Sequence, residues 1–256
     1  MNDALIGSTG FVGSTLARAR PFRDAFNSKT IHQIDGRRYD TVYCAGASAV
    51  KWLANKEPET DIEAIRRLMR HLGMVSAERF VLFSTVDVYR APVGVTEADE
   101  PDLEGLEPYG AHRLMLERFV VRRFPRSIVI RLPGLFGVGL RKNVIFDMLH
   151  RNQTDRISPN SVMQWYPMRR LADDVKRIEA TDLCVLNVAV EPVQTKTIRD
   201  RFFPNVDIGG PELSGVRYDV RSEFAEMLGG AGSYHLSAEA SMTELGRFLE
   251  VESSGQ

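Results

Sequence analysis

A glycine-rich turn between a short apolar run and a helical stretch constrains this chain more than any other feature. Gly7, Gly10 and Gly13 directly follow the apolar run Ala4–Ile6, and a helix-compatible stretch begins at Ser14. Glycine allows the tight bend of such a strand-to-helix turn and lets the backbone approach a phosphate. The first N–H groups of the helix then face the anion. The spacing predicts the phosphate-binding turn of a dinucleotide site, with an ordinary turn as the alternative.

The composition limits the kinds of partner that this chain can have. Its 256 residues carry 33 Lys+Arg against 34 Asp+Glu, so there is no charge excess that would favour nucleic acid or a membrane surface. No apolar run approaches the roughly 18 residues of a membrane span. The chain enters its first predicted strand almost at once, so we expect no signal peptide. The five histidines have no metal-ligand spacing, and we expect no metal site.

Two cysteines, Cys44 and Cys184, lie in apolar strand-like runs. We expect both thiols to be buried and reduced, as in a cytoplasmic protein.

Short apolar or β-branched runs alternate with helical stretches along most of the chain, which predicts an α/β fold: a doubly wound parallel sheet. Beyond the first strand, we predict strands at 30–34, 41–45, 80–84, 128–132 and 184–188. We predict helices at 61–72, 109–123, 143–151 and 242–250. Capping boxes formed by Thr60 with Glu63 and by Ser241 with Glu244 are expected to begin the first and last of these helices.

The expected organisation is a dinucleotide-binding domain at 1–133 and substrate-binding elements at 134–256, a small interleaved C-terminal lobe. A strand at 183–189 is expected to return to the first domain. The stretch between Gly13 and Tyr39 is too short for two helices and two strands. We therefore expect that one βα unit is missing from the cofactor half.

Three further segments extend this pattern, and two of them follow the carboxyl ends of predicted strands, where open α/β sheets bind ligands. Ala45-Gly46-Ala47 follows one predicted strand, Ser84-Thr85-Val86-Asp87 ends another, and Tyr109 begins a helix that also carries Arg113. Together with the glycine turn, this order of motifs resembles the extended short-chain dehydrogenase/reductase family of NAD-dependent, nucleotide-sugar-modifying epimerases and dehydratases, with this chain as a shortened, atypical member.

The resemblance implies a Rossmann-type fold, NAD or NADP as cofactor, and a nucleotide-linked sugar as substrate. It implies three catalytic residues: Thr85, Tyr109 and Arg113. The cofactor-binding residues implied are Gly7, Thr9, Gly10, Phe11, Val12, Gly13, Asp35, Ala45, Gly46, Ala47, Arg113 and Pro133. The substrate-binding residues expected are Ser84, Val86, Asp87, Asn143, Trp165 and Arg169. A homodimer through the helices at 61–72 and 109–123 is also expected.

Hydride chemistry at an alcohol carbon needs a base, and an unperturbed tyrosine with a pKa near 10 is too weakly ionised at neutral pH. A cation beside Tyr109, together with the positive nicotinamide ring, would lower that pKa. The family pattern has lysine where this chain has Arg113, and a guanidinium differs from an ammonium in geometry. Dehydratases of this family carry an acidic pair directly after the catalytic threonine, whereas here only the second residue after Thr85 is acidic, so the resemblance disfavours elimination of water. Taken singly, Tyr109, Thr85 and Arg113 also have ordinary structural explanations.

Asp35 follows the predicted strand at 30–34 at a spacing typical of an acidic residue that binds the adenosine ribose, although Asp35-Gly36 is also a turn dipeptide. Arg37 and Arg38 would suit a 2′-phosphate instead, so NAD and NADP remain alternatives. A catalytically silent protein that uses its pocket for sensing or partner binding is the second functional hypothesis.

Overall fold

The computed structural model describes residues 2–254, which form two compact units. The first comprises residues 2–91, 97–132 and 171–187, and the second comprises residues 92–96, 133–170 and 188–254.

The first unit is built on a six-stranded sheet with the order β2-β1-β3-β4-β5-β9, in which every neighbouring pair is parallel. Its strands are β1 (Ala4–Ile6), β2 (Asp24–Phe26), β3 (Arg38–Cys44), β4 (Ser76–Thr85), β5 (Ser127–Leu132) and β9 (Val185–Asn187). Its helices are α1 (Phe11–Ala19), α2 (Lys51–Lys56), α3 (Pro58–Met74), α4 (Pro108–Arg123) and α6 (Leu171–Glu179).

Alternate residues of each strand face opposite sides of the sheet, and each side is covered by helices. Ala4 and Ile6 of β1 lie in a buried cluster with apolar residues of α3 and α4, such as Leu72 and Val120. On the other side, α1 packs against α6. The fold is therefore a doubly wound α/β sheet of the Rossmann type, as the alternating pattern predicts.

The direction of winding reverses between β1 and β3, because β2 lies on one side of β1 while β3 and the later strands lie on the other. In open parallel sheets, ligands bind beyond the carboxyl ends of the strands at such a reversal. The glycine turn after β1 and the segment after β3 both lie there.

The predicted strand at 30–34 is wrong, because these residues form the 3-10 helix Ile31–Ile34. The strand that follows α1 is instead the short β2, and the next strand is β3. One helix and one strand of a full cofactor half are thus missing between Gly13 and Tyr39, as the short spacing predicts.

Both predicted capping boxes are wrong. Helix α3 begins at Pro58, where the missing backbone N–H costs nothing, so Thr60 lies inside its first turn. The last helix, α8 (Ala238–Ser254), begins before Ser241, whose hydroxyl donates to the Trp165 carbonyl at 2.6 Å instead. The expected frayed tail at 252–256 is helical through Ser254, and its last two residues lie outside the described part of the chain.

The second unit has its own buried apolar cluster, which includes Phe136, Met148, Ile198 and Leu245. Its strands form two two-stranded sheets: β6 (Gly134–Phe136) with β8 (Trp165–Pro167), and β7 (Val162–Met163) with β10 (Val193–Gln194). Besides α8, its helices are α5 (Val144–His150) and α7 (Thr195–Phe202).

The two cysteines are both free thiols, but only one is buried as predicted. Cys44 ends β3 in the core, whereas Cys184 lies in the exposed segment before β9. The burial prediction for Cys184 is therefore wrong, because β9 starts one residue later than the apolar run. No helix within residues 2–254 has the length and apolar content needed to cross a bilayer.

Candidate functional site

The glycine turn packs directly against the segment that follows β3. A Cβ atom on Gly7 would lie 2.1 Å from the Ala45 carbonyl oxygen, and Gly7 itself has a φ of +84°. A Cβ atom on Gly13 would lie 2.1 Å from the Gly7 carbonyl oxygen. Glycine at these two positions therefore allows the close contact between β1, α1 and the β3 end.

Gly10 differs from the other two glycines of the turn, Gly7 and Gly13, because it faces open space. A Cβ atom there would meet only the Gly7 carbonyl oxygen, at 3.3 Å. No side chain caps the N-terminus of α1, which begins at Phe11, and Thr9 and Gly10 are exposed. The uncapped N–H groups and the open space above Gly10 fit the pyrophosphate of a dinucleotide.

Asp35 lies at the wrong edge of the sheet for the ribose role that its spacing predicts. It precedes the amino end of β3, and its carboxylate contacts the His71 ring nitrogen Nδ1 at 2.8 Å in the last turn of α3. The backbone N–H of Gly36 donates to the Met74 carbonyl at 3.0 Å. Because all strands are parallel, the carboxyl ends and the glycine turn lie at the opposite edge. We therefore withdraw Asp35 from the cofactor site.

The residue that directly follows the carboxyl end of β2 is Asn27. The Phe26 carbonyl just before it accepts hydrogen bonds from the backbone N–H groups of Gly7, at 2.8 Å, and Ser8, at 3.0 Å. Sequence reasoning missed this position because it misplaced the strand.

Thr85 ends β4 and caps the 3-10 helix Val86–Val88 that follows. Its hydroxyl accepts from the Asp87 backbone N–H and also lies 3.2 Å from Asp87 Oδ2. Asp87 in turn forms an ion pair with Lys51 of α2, with Nζ 2.6 Å from Oδ1. Val86 is buried beneath this turn, so its side chain is packed rather than offered to a substrate.

Tyr109 is held at the start of α4 by two contacts from neighbouring elements. The Asn55 side chain of α2 accepts a hydrogen bond from the Tyr109 backbone N–H at 2.9 Å. A Cβ atom on Gly110 would lie 2.2 Å from the Asp87 carbonyl oxygen, so α4 packs directly on the turn after β4. This close approach places the buried phenol of Tyr109 beside the Thr85 hydroxyl. The predicted catalytic pair is thus together in the structure.

Arg113 is almost fully buried and is held by protein groups. Its terminal nitrogens contact Asp61 of α3 at 2.5 and 2.9 Å, and they also donate to the carbonyls of Ser48 and Tyr109. These four bonds use all the terminal N–H groups, and Nε is buried without a partner. The guanidinium carbon lies 4.0 Å from the centre of the Tyr109 ring. Arg113 therefore lies over the ring face, and its terminal groups are not available to the ribose hydroxyls, contrary to the predicted cofactor contact.

The environment of Tyr109 does not produce the lowered pKa that the sequence argument expects. Burial raises the pKa of Tyr109 above its usual value, and this outweighs the lowering by the Arg113 charge. The Asp87 carboxylate raises that pKa further, whereas the Thr85 hydrogen bond and the Lys51 charge lower it. The phenol is thus protonated at neutral pH in the protein alone.

Ser84 belongs to a buried polar network rather than an open surface. Its hydroxyl hydrogen-bonds to Glu117 of α4, which forms a buried ion pair with Arg131 of β5 at 2.7 Å. Arg131 also donates to the Tyr89 hydroxyl at 2.8 Å, which in turn accepts from Asn187 of β9 at 3.1 Å. The network links β4, β5, β9 and α4 just below Thr85. It therefore fixes the end of β4, and the substrate contact predicted for Ser84 stays a prediction.

The three substrate residues predicted in the second unit serve its own architecture. Asn143 caps α5 by accepting from the backbone N–H groups of Ile145 and Phe146 at 3.0 and 3.1 Å. Trp165 is buried in the apolar cluster, and Arg169 forms a two-pronged ion pair with Glu244. The substrate contacts expected of these three residues stay predictions. Pro133 directly follows β5, and its cofactor contact stays a prediction.

Lys51, Asn55 and Asp61 surround Tyr109 and Arg113, and sequence reasoning missed all three. Lys51 and Asn55 are four residues apart, a spacing that puts both on one face of α2 and could have indicated a shared role. Asp61 also contacts His112 Nδ1 at 2.7 Å. No local pattern reveals that Asp61 meets Arg113, since the two lie on different helices.

Comparison with solved structures finds the same fold over nearly the whole chain. A dTDP-4-dehydrorhamnose reductase from Clostridium acetobutylicum is 16% identical, with a TM-score of 0.74 over 99% of this chain and 100% of that one. MoeE5 in complex with UDP-glucose and NAD is 17% identical, with a TM-score of 0.73 over 100% of both chains. A UDP-glucose 4-epimerase from Thermotoga maritima is 15% identical, with a TM-score of 0.72 over 100% of this chain and 99% of that one. At such identities the similarity establishes the fold alone.

A comparison with curated protein sequences finds no match. The profile of the NAD dependent epimerase/dehydratase family, however, matches residues 22–167, more than half of the chain. This match includes Thr85, Tyr109 and Arg113 and begins after the glycine turn. The uncapped, open glycine turn is an independent feature that fits the same cofactor, NAD. The chain belongs to the NAD dependent epimerase/dehydratase family.

Proposed function

We propose that this protein is an NAD(P)-dependent oxidoreductase or epimerase that acts on a nucleotide-linked sugar, with Tyr109 as the acid/base. The position of Tyr109 beside Thr85 at the carboxyl end of β4, where α4 packs directly on the turn at Asp87, is the observation that carries the proposal. Similar folds bind such substrates: MoeE5 and the Thermotoga maritima epimerase both have UDP-glucose bound.

The glycine turn would hold the dinucleotide, with the uncapped N–H groups of α1 donating to its pyrophosphate and Gly10 leaving room for it. When bound, the oxidised nicotinamide accepts hydride and adds a positive charge to the site. That charge favours the phenolate of Tyr109, whose pKa burial otherwise raises.

Tyr109 would accept the proton of the sugar hydroxyl during oxidation and return it during reduction. Thr85 would hydrogen-bond the same oxygen and orient it, because its own position is fixed by the turn at Asp87. Arg113 keeps the tyrosine ring in place from its face and from the Tyr109 carbonyl. We assign Arg113 a supporting role in place of direct contact with the cofactor.

Replacement of Tyr109 by Phe tests the proposal. Turnover on a panel of UDP- and dTDP-sugars with NAD or NADP should fall by about 10²–10⁴-fold, the usual loss of a general acid/base, while cofactor affinity stays unchanged. Reduced cofactor can be followed by absorbance and the sugar product by mass spectrometry and NMR. Full activity of the Tyr109→Phe protein on an accepted substrate would refute the assignment.

Tyr39→Phe is the matched control. It removes a largely buried tyrosine hydroxyl that donates to Asp24 at 2.8 Å, at the amino edge of the sheet. Because that edge lies away from the glycine turn, the variant should lose some stability and keep its turnover.

The engagement of every terminal N–H of Arg113 favours the second candidate function, a protein that binds a ligand without catalysis. Mass analysis of nucleotide released from denatured protein, together with NADH and NADPH fluorescence titrations, separates the two. An enzyme should bind a nicotinamide dinucleotide, whereas a protein with no measurable affinity for either would support the second function.

A further inference from the structure

Helix α2 presents two polar side chains to the catalytic turn from a single face. Lys51 and Asn55 are one helical turn apart, which places them on the same side of the helix. Asn55 accepts from the Tyr109 backbone N–H at 2.9 Å, and the Lys51 ammonium contacts Asp87 at 2.6 Å. The helix thus contacts both the start of α4 and the turn after β4, the two elements that carry Tyr109 and Thr85.

The Asp87 carboxylate lies between the Lys51 ammonium and the Thr85 hydroxyl. One of its oxygens contacts Lys51, and the other lies 3.2 Å from the Thr85 oxygen. The Thr85 hydroxyl lies beside the Tyr109 phenol, so the side chains of Lys51, Asp87, Thr85 and Tyr109 follow one another in a polar row. Since a threonine hydroxyl has a single hydrogen, it donates either to Asp87 or to the Tyr109 oxygen. The charge on Asp87 therefore influences which oxygen receives that hydrogen bond.

The other cation beside Tyr109, Arg113, is held in a fixed position. Arg113 is held by Asp61 and by two carbonyl groups, and its charge is compensated by that buried carboxylate. Lys51, in contrast, has a side chain that is 44% exposed and flexible along its stem. The charged groups that face Tyr109 are Arg113 on its own helix, Lys51 from α2 and Asp87 from the turn after β4. Asp61 from α3 reaches it only through Arg113.

We propose that Lys51 is a positioning residue that favours the reactive phenolate of Tyr109 through Asp87 and Thr85. Its ammonium neutralises the Asp87 carboxylate, which otherwise repels the phenolate and draws the Thr85 hydrogen towards itself. In the structure the Thr85 hydroxyl donates to Asp87 at 3.2 Å; when Tyr109 ionises, the carboxylate that Lys51 has neutralised competes less strongly, and the Thr85 hydrogen turns to the phenolate. This inference rests on the proposed acid/base role of Tyr109. It makes Lys51 of α2, rather than Arg113, the cation whose position can adjust.

Direct titration of Tyr109 tests the inference without any substrate. The full chain is labelled with 3-fluorotyrosine, and 19F NMR follows each phenol as the pH is raised, with Tyr109→Phe used to assign the signal. In Lys51→Met the Tyr109 titration should move to higher pH, and the phenolate fraction at a given pH should fall about two- to fivefold. This is the order of effect expected of one unit charge that acts on a nearby group through a wet environment. Lys51→Arg keeps the charge and should restore the parent titration.

Lys56→Met is the matched control, since it removes the same charge from the exposed last turn of the same helix. It should leave the Tyr109 titration unchanged. Asp87→Asn should move the titration to lower pH, and adding Lys51→Met to Asp87→Asn should have a smaller effect than Lys51→Met alone. An unchanged Tyr109 titration in Lys51→Met, or an equal shift in Lys56→Met, would overturn the inference.

The result separates this inference from the proposed function. If Tyr109→Phe retained turnover, the acid/base role would fail, while the dependence of the Tyr109 titration on Lys51 would still stand or fall by NMR. Where turnover is measurable, the pH at which oxidation activity rises should follow the same order among the Lys51 variants. A rise at the same pH in parent and Lys51→Met would contradict the positioning role.

Discussion

The glycine turn allows a prediction that distinguishes packing from ligand binding at neighbouring positions. Gly10 has φ −77° and ψ 169°, extended values that any residue can adopt, and an added Cβ meets only one atom, at 3.3 Å. Gly10→Ala should therefore fold normally. A Cβ on Gly13 would lie 2.1 Å from a backbone oxygen, so Gly13→Ala must displace the turn against α1.

The two variants should lose different quantities. In Gly10→Ala, the methyl group occupies the space in front of the α1 N-terminus. Loss of one charge-assisted hydrogen bond there, about 1.5–3 kcal/mol, would weaken dinucleotide binding roughly 10- to 100-fold. In Gly13→Ala, overpacking should cost about 1–3 kcal/mol of folding free energy. For a chain of this length, that corresponds to a fall in Tm of about 2–12 °C.

Thermal unfolding by circular dichroism and NADH fluorescence titration measure the two quantities. Gly73→Ala serves as the control, because Gly73 lies inside α3 with nothing within 4 Å of an added Cβ. It should raise stability by about 0.5–1 kcal/mol and leave NADH binding unchanged. A folded Gly10→Ala protein with parental affinity would refute the reasoning, because the dinucleotide would then not approach the turn at Gly10.

Two further predictions concern the buried ion pair and the thiols. Arg113→Met leaves the Asp61 carboxylate without its main partner and should cost about 3–5 kcal/mol of unfolding free energy in urea; a cost below 1 kcal/mol would contradict the buried pairing. Burial favours a higher pKa for Asp61, but hydrogen bonds from Arg113 and His112 outweigh it and hold that pKa below its usual value. This stabilisation is present above about pH 4 and is lost as the pH falls through the folded value, so Asp61→Asn should show a flatter loss of stability in acid. A thiol reagent should label Cys184 in the folded protein and Cys44 only after unfolding, because burial raises the pKa of Cys44 to about 12; labelling of both thiols before unfolding would contradict the burial of Cys44.

Elements with strong local signals could be predicted from the sequence. The inner strands β3, β4 and β5 each contain at least three consecutive buried residues, since a parallel sheet covered on both sides buries both faces of its strands. The three-residue β2 has no such run, because its Asp24 and Ala25 are not buried. The more apolar stretch at 30–34 instead turns back to cover the core through Ile31 and Ile34. A short edge strand and a 3-10 helix cannot be told apart by periodicity at this length.

The residues of the candidate site can likewise be divided into those that the sequence could predict and those that it could not. The order of the motifs brings Thr85 and Tyr109 together, because both lie near the carboxyl edge of a parallel sheet. The hydrogen bonding of Arg113 depends on Asp61, which lies on another helix. No sequence pattern within either helix indicates a contact between the two. The same holds for Lys51 and Asp87. The charged groups that act on Tyr109 could therefore be identified only from the packing of α2, α3 and α4.

Both edges of the sheet are formed by short strands. The edge strands, β2 and β9, have three residues each, as has the inner strand β1, whereas β3 and β4 have seven and ten. An edge strand offers unpaired backbone groups to any extended segment of another molecule, and a short one offers few of them. Although the missing βα unit leaves β2 at the margin, its brevity and its charged Asp24 make a poor template for a further strand. The shortened cofactor half is thereby protected from aggregation through its open side.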